Sequence, residues 1–286
     1  MSGDAAGYKE VVAREWNRAA DGWHAWVPFV RSWLAEPTTR MLDRAILHPG
    51  ARVLDVAAGD GDQSIDAARR VVPEGCVVAI DTSREMMRHA ADAARATGLP
   101  IETRVADVEA LPFDAATFDA AISRLGVMFC ASPVDAFREL RRVVRPGGRV
   151  AVIVFATAGQ NPFFAIPVAV IRRKRALPPV PPRSPGPFAL GDPGVLHAAM
   201  ESAGFVSVVV EEVDAPVRMA SAAECLRFRR EASGTLGAMM APLDEAARAE
   251  AWAEMQAALA AYESEAGFVS PCTVLLGSAS VPEGGS

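Results

Sequence analysis

Three acids and two glycines give this chain its first chemical signal. Asp55 sits in the apolar run that opens VLDVAAGDGD (53–62), where Ala57, Ala58, Gly59 and Gly61 follow it. Asp81 ends CVVAID (76–81), 20 residues after Gly61, and Asp107 ends IETRVAD (101–107). Small residues at a strand exit let a ligand approach the backbone closely. A carboxylate ending the next strand can accept two hydrogen bonds from adjacent ribose hydroxyls. An adenosine-type ligand fits this spacing.

Two cofactor classes share that demand, and the loop separates them. Dinucleotide sites use G-x-G-x-x-G/A, whereas the matching frame here is G-D-G-D-Q-S, with Ser64 in third place. Asp60 and Asp62 crowd the turn, and acids there repel a pyrophosphate seated on a helix N-terminus. S-adenosylmethionine carries an ammonium and a sulfonium instead, which acids attract. Asp107, across the crevice, adds an acceptor for the adenine amino group.

These positions need elements to bring them to one edge. ARVLDVA (51–57), CVVAID, IETRVAD, FDAAIS (118–123) and PGGRVAVIVFA (146–156) read as strands. DQSIDAARRVV, TSREMMRHAADAARATG and SPVDAFRELRRVV, lying among them, have helical spacing. Thr82 with Glu85 forms a capping-box signal and Gly98 a stop. Ser132 caps the third helix, with Pro133 at its first position. Continuous apolar strands separated by helices predict a parallel sheet covered on both faces. FVSVVVEEV (205–213) and CTVLLGSASV (272–281) add two more strands. The fold class is therefore α/β: a Rossmann-like, seven-stranded, mostly parallel sheet with helical cap elements. GDPGVLHAAMESAGF (191–205) and the stretches about 220–240 and 243–265 read as helical, and RRKRALPPVPPRSPGP (172–187) as a basic, proline-rich loop. The expected division is a helical cap at 1–48, a cofactor-binding core at 49–156, sheet completion with lid segments at 157–282, and a disordered tail at 283–286.

Composition narrows the class. Of 286 residues, 51% are hydrophobic and 22% charged, an ordinary globular balance. A net charge of −6 argues against a protein built to wrap nucleic acid. Cys76, Cys130, Cys225 and Cys272 are widely spaced, which is neither a disulfide framework nor a zinc site and suits a reducing cytoplasm. The longest apolar run, NPFFAIPVAVI (161–171), is too short to cross a bilayer.

Taken as an ordered set, LDVAAGDG (54–61), AIDTSREMM (79–87), ADVEALPF (106–113), FDAAISRLGVMF (118–129) and LRRVVRPGGRV (140–150) resemble the class I S-adenosylmethionine-dependent methyltransferases. The resemblance covers roughly 50–156 and is closest in pattern to the ubiquinone and menaquinone biosynthesis branch. It implies that Asp55, Ala57, Gly59 and Gly61 line the methionine arm. It also implies that Asp81 holds the ribose beside Thr82 and Met86, and that Asp107 and the Val108 backbone hold adenine. Ser123 and Arg124 then end the fourth strand next to the reactive methyl. Ala57 stands where the family has its first loop glycine, Asp60 where threonine is common, and Arg124 is unusually bulky and charged for its position.

The flanks are where an acceptor would be chosen. Tyr8, Trp16, Trp23 and His24 are the candidate acceptor-side residues, with Trp16, Trp23 and Trp26 on one helical face. Each has a plainer reading: the tryptophans as packing, His24 and His197 as surface or capping residues, Arg124 as the partner of a nearby acid, and the 172–175 cluster as a solvated face. No Ser/His/Asp arrangement or metal-ligand spacing stands out, so no catalytic residue is assigned. That suits an electrophilic sulfonium methyl, which chiefly needs an aligned nucleophile and exclusion of water. The expected function is methyl transfer to a small, partly apolar acceptor, leaving S-adenosylhomocysteine. The alternatives are a binding protein that transfers nothing, or a relative using the sulfonium for another reaction such as cyclisation.

Overall fold

Residues 2–181 and 184–283 are described by the computed structural model. The expected tail, apart from Glu283, lies outside the described residues. The chain opens with α1 (Ser2–Ala25), α2 (Val27–Trp33) and α3 (Ala35–Arg44). Next come β1 (Arg52–Val56), α4 (Asp62–Val71), β2 (Cys76–Asp81), α5 (Arg84–Thr97), β3 (Ile101–Val105), β4 (Phe118–Arg124), α6 (Pro133–Val143) and β5 (Val144–Phe155). The second half holds α7 (Pro162–Lys174), α8 (Pro193–Ser202), β6 (Val206–Asp214), β7 (Val217–Met219), α9 (Ala222–Glu231), α10 (Gly234–Met240) and α11 (Glu245–Leu259). It closes with β8 (Glu263–Ser264), β9 (Gly267–Ser270) and β10 (Thr273–Ser280).

Seven strands form one sheet in the order β3-β2-β1-β4-β5-β10-β6. The first five pair in parallel, and β10 runs antiparallel between β5 and β6. The apolar runs explain the burial: Val53, Leu54 and Val56 of β1 and Val150 to Val154 of β5 are almost wholly inaccessible. The order reverses between β1 and β4, so the loops leaving them diverge and open a crevice at their carboxyl ends.

Local signals behaved unevenly. Gly98 ends α5 in the left-handed region and Ser132 caps α6, as expected. The α5 cap is Ser83, not Thr82: its hydroxyl accepts the Met86 N–H, and Thr82 is left exposed. The basic cluster is not a loop as far as Lys174, because α7 continues through Arg172–Lys174 against α11. There Arg173 pairs with Glu254 and Lys174 with Glu250. The stretch 220–240 breaks into two helices where Ser233 caps α10. A small sheet, β7-β9-β8, was not foreseen, its strands being too short to show a period. Among the described residues, no helix is long and apolar enough to cross a membrane.

Candidate active site

A cavity of about 1290 Å³, counting its open mouth, lies at the crevice. One wall is Ala57 and Gly59 after β1, with Asp81, Thr82 and Met86 around the start of α5. Asp107 and Val108 follow β3, and Arg124 ends β4. Tyr8, Trp16 and Trp23 of α1 roof it. The opposite wall is aromatic: Trp33, Phe155, Phe163, Phe164 and Phe228.

Close backbone approach shapes the loops. A Cβ on Gly126 would stand 2.3 Å from Ala57 Cβ, so the segments leaving β1 and β4 touch almost backbone to backbone. Ala57 itself is held at φ 52°, a region unfavourable for alanine, and keeps the turn a glycine would take more easily. Trp23 lies over Gly59, its Nε1 3.7 Å from where a Cβ would be.

Asp81 is preset by the backbone. Its Oδ2 accepts the Gly59 N–H at 3.2 Å and its Oδ1 the Ser83 N–H at 2.8 Å. Burial raises its pKa to about 6. Asp107 accepts the Glu109 N–H at 2.9 Å, and its other oxygen meets Lys9 Nζ at 2.8 Å. Lys9 also pairs with Glu109 at 2.9 Å. Lys9 and Glu109 carry no sequence signal, since a lone charge on a helix or in a turn has no telling spacing. Burial pushes Tyr8 up to about 12, its hydroxyl donating to the Phe129 carbonyl, and pushes the Cys130 thiol up as well.

Four expected site residues do not line the cavity. Asp55 is wholly buried beneath the loop, accepting from Gln63 Nε2 and Ser64 Oγ at 2.5 Å each, and burial lifts its pKa to about 7. It ties β1 to α4. Gly61 caps α4 at φ 78°, and a Cβ there would stand 3.0 Å from Ala90 Cβ, so it permits close packing of α4 on α5. Ser123 is buried behind Gly126, its hydroxyl without a partner. His24 bonds Asp60 outside the cavity and stacks on His89 at 4.1 Å, which in turn meets Asp21 at 2.8 Å. Ligand atoms of His24, Asp60 and His89 lie within 4.8 Å of one another. The rings are nearly parallel, at 13°, so their in-plane lone pairs run side by side rather than converging on an ion.

The acid-rich loop also differs from expectation. Asp62 pairs with Arg124 at 2.6 Å and Asp60 with His24, and neither acid lines the cavity. Their charge is met inside the protein, leaving Asp81, Asp107 and Glu109 as the acids that face the crevice. Arg124 also donates to Thr38 at 2.9 Å, so its plainer reading, the partner of an acid, is the one the structure shows.

Comparison with known proteins fits this geometry. Residues 53–148 match the family described as a methyltransferase domain. An uncharacterized protein of Mycobacterium tuberculosis is 40% identical over 127 residues, 44% of each chain. A ubiquinone/menaquinone biosynthesis C-methyltransferase of Bordetella parapertussis is 36% identical over 115 residues, 40% of this chain and 45% of that one. The chain thus spans under half the length of the curated relatives it matches. The crystal structure of the YcgJ protein of Bacillus subtilis superimposes with a TM-score of 0.59 at 17% identity, covering 87% of this chain and all of that one, and shows the shared fold. Residues 53–148 thus match a methyltransferase domain and are similar to part of a ubiquinone/menaquinone biosynthesis C-methyltransferase.

Proposed function

We propose that this protein transfers a methyl group from S-adenosylmethionine to a small, partly apolar acceptor. The observation that carries the reading is the two-sided cavity. Strand-end acids Asp81 and Asp107 face it from one side, aromatic rings from the other, and α1 covers it. Those residues fit the cofactor: Asp81 would take the ribose hydroxyls, Asp107 with the Val108 backbone the adenine edge, and the Ala57–Gly59 turn the methionine arm. When bound, the cofactor supplies a strongly electrophilic methyl. The chain's part is to align the acceptor in line with it, between Trp16, Trp23 and the phenylalanine wall, and to keep water out. A positioned strong base is not required for that chemistry.

Two outcomes are expected. In calorimetry the protein binds S-adenosylhomocysteine and not NAD; binding of NAD alone would sink the reading. Labelled methyl from the cofactor should appear in a metabolite of a cell extract. Binding without transfer would favour a non-methylating binder or a sulfonium enzyme of another kind.

Asp81→Ala should weaken adenosylhomocysteine binding by about 10- to 100-fold, the loss of a charged hydrogen bond of about 1.5–3 kcal/mol. pH gives a second check. Ribose hydroxyls donate to the carboxylate, so binding needs Asp81 ionised and should weaken as pH falls through about 6. The free protein behaves oppositely. An Asp81 pKa raised from 3.8 to about 6 gives the fold a stabilising contribution that is present below pH 3.8 and lost as pH rises to about 6. Parent-like affinity in Asp81→Ala would remove Asp81 from the ribose role.

A further inference from the structure

We propose that the methyl acceptor carries an oxyanion, a carboxylate or phosphate, on its apolar body, and that Arg229 receives it at the aromatic end of the cavity. The proposal rests on the methyltransferase reading and names its acceptor class.

Arg229 lies on α9 and lines the cavity, yet is only 5% exposed. Its Nε is buried without a hydrogen-bond partner. Among the described residues its guanidinium has neither an ion pair nor a hydrogen bond. The other cations lining the cavity differ: Arg124 is paired with Asp62, and Lys9 with Asp107 and Glu109. No acid among the described residues answers Arg229. The Cys225 thiol, one turn earlier on α9, stays protonated because burial pushes it up to about 12.

A buried cation without a counter-ion is costly, and such groups are normally paired. The ring of Phe164, 3.6 Å below the guanidinium carbon, offsets part of that cost. Packing alone does not call for an arginine here, since a methionine would fill the same space. Burial draws its pKa down to about 10, which leaves it a cation at neutral pH. A guanidinium presents a planar fork that suits carboxylate and phosphate oxygens. Phe163, Phe164 and Phe228 supply the apolar bed for the rest of the acceptor. The sequence offered no sign that Arg229, one of three arginines on α9, turns inward.

Calorimetry on the full chain tests this with 2-naphthoate, 2-naphthyl phosphate and the neutral 2-naphthamide, with and without saturating adenosylhomocysteine. At least one oxyanion should bind about tenfold more tightly than the amide, and the tighter of the two identifies the head group. R229M should erase the preference and R229K should restore part of it. Neither variant should change adenosylhomocysteine affinity, and the Tm of ligand-free R229M should equal or exceed that of the parent, because an uncompensated buried charge has been removed. Equal binding of all three probes by the parent would overturn the proposal, as would a preference that survives in R229M. A tenfold loss of adenosylhomocysteine affinity in R229M would also overturn it, since Arg229 would then serve the cofactor's own carboxylate. A lower Tm in both variants, with the preference unchanged in R229K, would mark a packing residue instead. A parent chain that binds the oxyanion but no adenosylhomocysteine would leave the anion site standing and refute the methyltransferase reading.

Discussion

Removal of residues 1–25 is expected to leave a folded protein that binds adenosylhomocysteine within about tenfold of the full chain and transfers no methyl. α1 lies on α5, α9 and α10 and contributes no strand to the sheet. Of its described residues only Ala19 and Ala20 are buried, so the core loses little. What the helix does supply is a roof. Trp16 and Trp23 meet edge to face at 5.8 Å, and Trp16 packs against Phe129 at the same distance. Polar contacts fix the roof to the cofactor side: Lys9 to Asp107, Asn17 to the Ser83 hydroxyl at 2.9 Å, and His24 to Asp60. Without them the crevice stands open to water, and the alignment that in-line transfer needs is lost. Residues from Val30 onward should be kept, because Val30 and Leu34 belong to the core. Intact turnover in the truncated protein would show that α1 is not a lid. Failure to fold would show that it is part of the core after all.

Arg124→Leu should destabilise the fold by about 3–5 kcal/mol in chemical denaturation, the usual result of removing one member of a buried ion pair. Both partners are nearly inaccessible, with side chains 5% and 6% exposed. Asp62 Oδ2 already has no partner, so losing Arg124 would leave the whole carboxylate uncompensated. The start of α4 would offset only part of this. Asp55 lies close enough for Arg124 to favour its charged form and for Asp62 to oppose it, so the mutation also places two acids together without a cation. Replacing Asp62 as well should recover much of the loss, because no orphaned charge then remains. A single-mutant cost below about 1 kcal/mol would mean that water or rearrangement relieves the pair, contrary to its burial.

The sequence by itself determined the cofactor half of this protein. Apolar strands and capped helices from 51 to 156 dictate a parallel sheet, because continuous hydrophobic runs must be covered on both faces. Once that sheet forms, Asp81 and Asp107 must arrive at neighbouring strand ends, since parallel strands put all their exits on one edge. Gly59 and Ala57 follow for the same local reason. Tertiary structure decided where the remaining charges point. Asp60 and Asp62 read alike in the sequence, and partners 36 and 62 residues away absorbed them. Asp55 looked like a loop ligand until Gln63 and Ser64 closed over it. Only the packing of α1, α7 and α9 against the crevice brought Lys9 to Asp107 and left Arg229 facing the cavity without an acid. Periodicity records which face of an element is apolar, but the partner of a charge is set by contacts distant in the chain, and one sequence alone does not encode those visibly.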